Sequence, residues 1–204
     1  MAKATQSTRD QPKLSSGIEA FDKAIGGFPI GSVVLLSGKP GSGYDLFAQQ
    51  ILYNAASAGA RVTYLAVDRA PEDLLADMQS ANINVEPLIE KGNWRFLNGY
   101  ETRLKIRQGD LGPKVLLDML RAVSTAAKAG DWTVVDTLSK MMEYNGQGET
   151  KSFLDDIVLE AREGRGLHFL LVVEEMHDQK TLASLAQACD GYVRLSLDEA
   201  SSEP

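Results

Sequence analysis

Short apolar runs alternate along the chain with segments whose apolar residues recur at helical spacing. The runs are 32–37 (SVVLLS), 61–67 (RVTYLAV), 94–98 (WRFLN), 132–136 (WTVVD), 167–173 (LHFLLVV) and 191–197 (GYVRLSL). Several are rich in Val and Leu and apolar on both faces, the pattern of strands buried within a parallel sheet. Residues 44–58 place Leu46, Phe47, Gln50, Ile51 and Asn54 at helical spacing. Pro71 opens a second helix with Leu74, Leu75 and Met78 as its apolar face, since proline is tolerated in a first helical turn. Further helices are predicted over 110–129 (Val115, Leu116, Met119, Leu120, Val123), 152–162 (Phe153, Ile157, Val158, Ala161) and 181–188. Strand alternating with helix predicts an α/β fold, a mainly parallel twisted sheet sandwiched by helices. Residues 99–112 are charged and aperiodic, and read as a surface loop.

Length and charge narrow this picture. The 204 residues suit one domain, with 14–197 as its body, a mobile polar tail over 1–13 and a polar tail over 198–204. The net charge is −7, from 21 Lys+Arg against 28 Asp+Glu, which disfavours a nucleic-acid partner. Four cationic residues, Arg95, Arg103, Lys105 and Arg107, nevertheless cluster in sequence. A single cysteine, Cys189, excludes a disulfide within the chain, and a reducing cytoplasm is the expected location. No apolar run reaches the roughly 18 residues of a membrane span, and residues 1–11 carry no apolar signal segment. Two histidines, His168 and His177, offer no His/Cys metal cluster. Glycine, at 18 residues, is in modest excess of the ordinary share of about 7%.

Part of that excess is local. The run 32–37 leads into Gly38, Lys39, Pro40, Gly41, Ser42, Gly43, Tyr44 and Asp45, and then a helix. This is the strand–loop–helix frame of a P-loop, whose pattern is G-x-x-x-x-G followed by Lys and Ser/Thr. Gly38 and Gly43 hold the required spacing, which lets backbone N–H groups surround an anion at a helix N-terminus. The lysine position holds Tyr44 and the hydroxyl position holds Asp45. Tyrosine brings no charge to the β- and γ-phosphates. Aspartate sets a negative charge beside a polyanion, and two like charges about 4 Å apart repel by roughly 4 kcal/mol at an effective dielectric near 20. In a first helical turn the Asp45 carboxylate is favoured by the helix dipole instead. From this motif alone, a phosphate loop that has lost its phosphate-binding side chains and a glycine-rich turn that never had them remain open alternatives.

The flanking residues add to this. Residues 14–27 (LSSGIEAFDKAIGG) precede Pro29, Ile30, Gly31 and Ser32. This segment resembles the lead-in to the P-loop strand in KaiC-like ATPases of the RecA superfamily, S-T-G-I-x-x-F-D-x-x-x-G-G-x-P-x-G. The similarity continues through Tyr53-Asn54, 70–74 (APEDL), Asp136 and Asp190. The resemblance implies a RecA-like P-loop NTPase core. It also implies three departures from the family: Tyr44 and Asp45 in a degenerate Walker A motif; Asp68 and Arg69 where the family has adjacent catalytic glutamates; and no basic hairpin after the last strand. Asp68 keeps one carboxylate, with Arg69 beside it as a pairing cation. Asp136 stands where a Walker B aspartate would hold Mg²⁺ through water; a plain strand-end cap is its other reading. Lys39 is a second phosphate-binding candidate, against an exposed loop lysine.

The remaining candidates carry plainer readings. Glu174, with Glu175, follows the run 167–173 at a place that would sense a γ-phosphate; a solvated strand end fits equally. His168 reads as structural, Cys189 as a buried thiol, and Met141 and Met142 as core. Together these readings predict a catalytically defective KaiC-like module in signalling, binding a protein partner such as an ATP-competent paralogue. ATP and Mg²⁺ would bind weakly if at all, and the expected state is a monomer or small homo-oligomer. The alternatives are a divergent ATPase using Lys39, Asp68 and Asp136, and a nucleic-acid-binding recombinase relative.

Overall fold

The computed structural model describes residues 12–197. Strands Ser32–Gly38 (β3), Val62–Ala66 (β4), Trp94–Asn98 (β5), Trp132–Asp136 (β6), Leu167–Val173 (β7) and Gly191–Leu195 (β8) form one sheet in the order β5-β4-β6-β7-β3-β8. Every pairing in it is parallel, as the two-sided apolar runs predict. All seven residues of β3 are buried. A separate ribbon of Lys13–Leu14 (β1) and Phe28–Pro29 (β2) pairs antiparallel and brackets a short helix, Glu19–Ile25 (α1).

Alternation along the strands divides the core into two layers. On one face Val34, Leu36, Tyr64, Val134, Phe169 and Leu171 pack with Ile51 and Leu52 of Tyr44–Ser57 (α2) and Leu74 and Met78 of Pro71–Ser80 (α3). On the other, Val33, Leu35, Leu65, Val135, Leu170 and Val172 meet Leu116, Leu120 and Val123 of a further helix. That face also receives residues of a long kinked helix and Leu185 of the last helix. In chain order these remaining helices are Glu86–Glu90 (α4), Gly99–Gln108 (α5), Lys114–Lys128 (α6), Leu138–Gly164 (α7, kinked at Gly146) and Gln179–Ala188 (α8). Helices on both faces complete the α/β sandwich expected from the sequence.

Three expectations need correction. Residues 99–112 are not a loop: α5 occupies most of them, its N-terminus capped by the Asn98 side chain, which accepts the Glu101 N–H at 2.9 Å. The helix predicted from residue 152 begins at Leu138, where Thr137 caps it and Met141 and Met142 are buried in the core. Lys13, assigned to a tail, is in β1. The rest of that tail, 1–11, and the tail over 198–204 lie outside the described residues.

Candidate functional site

In a parallel α/β sheet the carboxyl ends of the strands open onto the crevice where ligands bind. Here β3 ends at Gly38 and the chain turns through Lys39–Gly43 into α2. The turn is closed by the Ser42 N–H donating to the Lys39 carbonyl at 3.0 Å, and Gly43 caps α2 at φ 78°. That left-handed conformation suits glycine. A Cβ on Gly38 would stand 2.2 Å from Ser42 Oγ and 3.1 Å from the Leu195 carbonyl oxygen. Gly38, Gly41, Ser42 and Gly43 thus lie in a tight turn between β3 and α2. Lys39, Pro40 and Gly41 are exposed.

The side chains at the start of α2 face an acidic crevice. Tyr44 is 7% exposed. Burial and the charges of Asp136, Asp45 and Asp68 raise its hydroxyl pKa far above the ordinary value, so it stays neutral. Asp45 accepts the Leu46 N–H at 2.9 Å, as a first-turn carboxylate should. Its other oxygen lies 3.3 Å from Arg69, which also pairs with Asp77 of α3. The pairing expected between Arg69 and Asp68 does not form, because the guanidinium turns across the crevice to α2 and α3. Asp68 meets Arg103 of α5 instead, with the carboxylate 3.9 Å away and the backbone carbonyl accepting at 3.2 Å.

Asp136 ends β6 and is 6% exposed; the following peptide bond to Thr137 is cis. Its Oδ2 accepts from the Tyr64 hydroxyl at 2.5 Å, and the Tyr64 oxygen in turn accepts from Gln49 Nε2 at 3.2 Å. Burial pushes the Asp136 carboxyl up to about 6, against the opposing pull of Tyr64 and Arg69. Sequence reasoning missed both Tyr64 and Arg103. Tyr64 looks like any aromatic in a buried strand, and Arg103 belongs to the segment read as a loop.

Glu174 lies at the far side of the loop, past the end of β7. It is not a bare solvated strand end. Arg194 of β8 donates to both of its oxygens, at 2.7 and 2.9 Å, and Ser37 Oγ donates at 2.7 Å. The bond from Arg194 holds its carboxyl below the usual range. Among the described residues Lys39 reaches only Glu175, at 4.0 Å, with more than half its side chain in solvent. The sequence cluster of basic residues disperses in space. Arg95 joins Asp131 and Thr63 at the opposite end of the sheet, Arg103 turns inward, and Lys105 pairs with Glu101 on the outside of α5. Cys189 is half-buried rather than buried, and burial pushes its thiol up to about 12. Among the described residues no group of His, Cys, Asp and Glu is arranged to hold a metal ion, and no helix is long and apolar enough to cross a membrane.

A family described as "ATPase: KaiC" matches residues 14–204. The chain belongs to this KaiC ATPase family. Among curated relatives, a UPF0273 protein of Pyrococcus horikoshii is 34% identical over 89 residues, 43% of this chain and 36% of the relative. A circadian clock oscillator protein KaiC of Parathermosynechococcus lividus is 28% identical over 151 residues, 69% of this chain and 26% of the relative. The matched stretch thus spans little more than a third of the first curated relatives, at 36% and 37% of their length. Among solved structures, a KaiC-like protein of Pyrococcus horikoshii superposes with a TM-score of 0.72 at 22% identity, covering 95% of this chain and 84% of that one. The flagellar accessory protein FlaH of Methanocaldococcus jannaschii gives 0.71 at 16% identity, covering 93% and 83%. These likenesses establish the RecA-like fold.

Proposed function

We propose that this KaiC-family domain works as a regulatory or protein-binding module in signalling, without efficient nucleotide hydrolysis. The observation that carries the reading is Tyr44. A buried, neutral phenol occupies the first turn of α2, where the P-loop pattern has lysine, and no ammonium group replaces it there among the described residues. Nucleotide and Mg²⁺ fit this crevice poorly. Asp45, Asp68, Asp77 and Asp136 face Arg69 and Arg103, four carboxylates against two guanidinium groups. A triphosphate entering there meets like charge, at about 4 kcal/mol for each close pair at an effective dielectric near 20. Phosphoryl transfer depends on positioning and on electrostatic stabilisation of the transferring group. The degenerate Walker A motif weakens both, and Asp68 alone, paired with Arg103, replaces the glutamate pair. A protein partner, with an ATP-competent paralogue as the first candidate, fits a domain that keeps the frame and lacks this chemistry.

Calorimetric titration with Mg·ATP, followed by a turnover assay, tests this. No micromolar binding and no phosphate release are expected. Micromolar binding accompanied by turnover would overturn the reading. A second reading, a divergent ATPase using Lys39, Asp68 and Asp136, is favoured by one observation: the Lys39 ammonium is exposed in the loop, with only the long contact to Glu175 among the described residues. If that reading holds, Lys39→Ala abolishes the binding.

A further inference from the structure

Helices α6 and α7 lie side by side on the sheet face opposite α2. Between them is a cavity of about 400 Å³ that shares no residue with the crevice at the loop. Its floor is apolar, made by Leu117 and Leu120 of α6 and Phe153 of α7, the last two buried. Ser124 lines the same cavity. It is 8% exposed, and its Oγ is buried without a hydrogen-bond partner among the described residues. A helical serine or threonine commonly returns its hydroxyl to the carbonyl four residues back, as Thr125 does to Arg121 at 2.9 Å. Ser124 does not, and a buried polar group is costly unless something bonds it. The charges at the rim divide into two sets. Arg121 pairs with Asp118 at 2.7 Å, and Lys128 pairs with Glu160 and Glu163 at 2.9 and 3.4 Å. Glu149 and Asp156 are exposed at the rim, and their carboxylates have no partner among the described residues.

We infer that this groove binds a free aliphatic diamine, with an ammonium group at each of Glu149 and Asp156 and the Ser124 hydroxyl accepting from one of them. Charge complementarity selects a cation, because the two cationic side chains at the rim are already engaged. An ammonium carries three donors and no acceptor, which suits carboxylate and hydroxyl oxygens. The apolar floor covers the methylene chain between the two ends. Spacing selects a two-ended ligand. Glu149 and Asp156 lie two turns apart on α7, about 10 Å along the axis at about 1.5 Å per residue. One metal ion or one lysine side chain of a partner does not meet both. An extended chain advances about 1.2 Å per bond, taken from roughly 3.5 Å for three backbone bonds. The five bonds of 1,4-diaminobutane therefore span about 6 Å, and a charge-assisted hydrogen bond of about 2.8 Å at each end carries the reach past 10 Å. The cavity is at the small end of the range for small-molecule sites.

The probe is 1,4-diaminobutane, titrated into the full chain carrying ¹³C-methyl leucine and read by NMR at Leu117 and Leu120. A saturable shift is expected at both, and butylamine, with one ammonium, should bind at least about tenfold more weakly. Ser124→Ala removes a hydroxyl that the unliganded fold does not use, and should weaken diamine binding roughly tenfold, the range for a hydrogen bond to a charged group. Glu149→Gln with Asp156→Asn, both exposed, should weaken it roughly tenfold as well. Glu72→Gln with Asp73→Asn is the control. It removes the same charge from the exposed start of α3 and should leave affinity unchanged. No saturable shift at the two leucines, butylamine binding as tightly as the diamine, or unchanged affinity in Ser124→Ala overturns the inference. So does an equal loss from the α3 pair, which would show diffuse attraction to a chain of net charge −7 rather than a site between α6 and α7.

Discussion

Tyr64 and His168 show how two buried polar groups on neighbouring parts of one sheet are treated differently. Tyr64 is fully buried, stacked on Trp94 at 5.9 Å, and its hydroxyl is spent on Asp136 and Gln49. His168 is also fully buried, but only Nδ1 is engaged, with Thr133 Oγ1 at 3.0 Å, while Nε2 has no partner among the described residues. Burial therefore pulls its pKa down from 6.5 to about 3. The folded state resists a proton that the unfolded chain takes up below pH 6.5, so stability is complete above that pH and is lost as pH falls towards 3. At pH 4 the loss from this one group is about 3 kcal/mol. Urea unfolding at pH 7 and pH 4 checks it: His168→Gln should lose about 3 kcal/mol less than the natural protein over that interval. An equal loss in both proteins would show that His168 is solvated or paired in solution. Neither residue announces its role in sequence. A tyrosine and a histidine inside apolar runs differ from core fillers only through partners on β6, which lie 72 and 35 positions away.

Among the elements, strands were more legible than helices. The apolar runs mark β5, β6 and β7 at their observed bounds; β6 and β7 are buried almost throughout, whereas β5, at the sheet edge, buries only Trp94 and is marked by its aromatic residues. Helix α5 escaped notice because Glu101, Arg103, Lys105 and Arg107 leave it almost no apolar stripe; only Gly99 in it is buried. It is held by the Asn98 cap and by Arg103 reaching Asp68, contacts that periodicity does not record. The first half of α7 precedes Gly146 and Gly148, of which only Gly146 departs from helical geometry. The two other glycines of α7 give opposite predictions. A Cβ at Gly164 would stand 1.6 Å from the Ala127 carbonyl oxygen at the end of α6. Gly164→Ala must therefore push α6 and α7 apart, and a loss of about 2–3 kcal/mol is expected, in line with overpacking. Gly148 has nothing within 4 Å, so Gly148→Ala should gain about 0.5–1 kcal/mol from helix propensity. Denaturant midpoints measure both; a Gly164→Ala protein as stable as the natural one contradicts the close approach of the two helices.

At the scale of the molecule, the crevice is assembled from pieces far apart in sequence. Tyr44 and Asp45 come from α2, Asp68 and Arg69 from the end of β4, Asp136 from β6, and Arg103 from α5. The loop frame and Asp136 were visible as spacing and strand-end position. The pairing was not, because it depends on which way two arginines turn. Arg69 spans α2 and α3, and Arg103 ties α5 to the end of β4. This division predicts what restoration can achieve. Tyr44→Lys with Asp45→Thr returns an ammonium and a hydroxyl to the loop, removes one carboxylate and frees Arg69 from α2. Removing one like charge and adding one opposite charge should strengthen Mg·ATP binding by more than about tenfold, given roughly 4 kcal/mol for each close pair. Turnover should stay at background, because Asp68 remains a single carboxylate engaged by Arg103, and neither substitution alters it. Titration calorimetry and phosphate release on the double variant separate the two effects. Tight binding without phosphate release places the remaining deficit at Asp68 and Arg103. Robust release from the double variant would instead show that Asp68 suffices as it stands, and that Tyr44 and Asp45 alone silence the site.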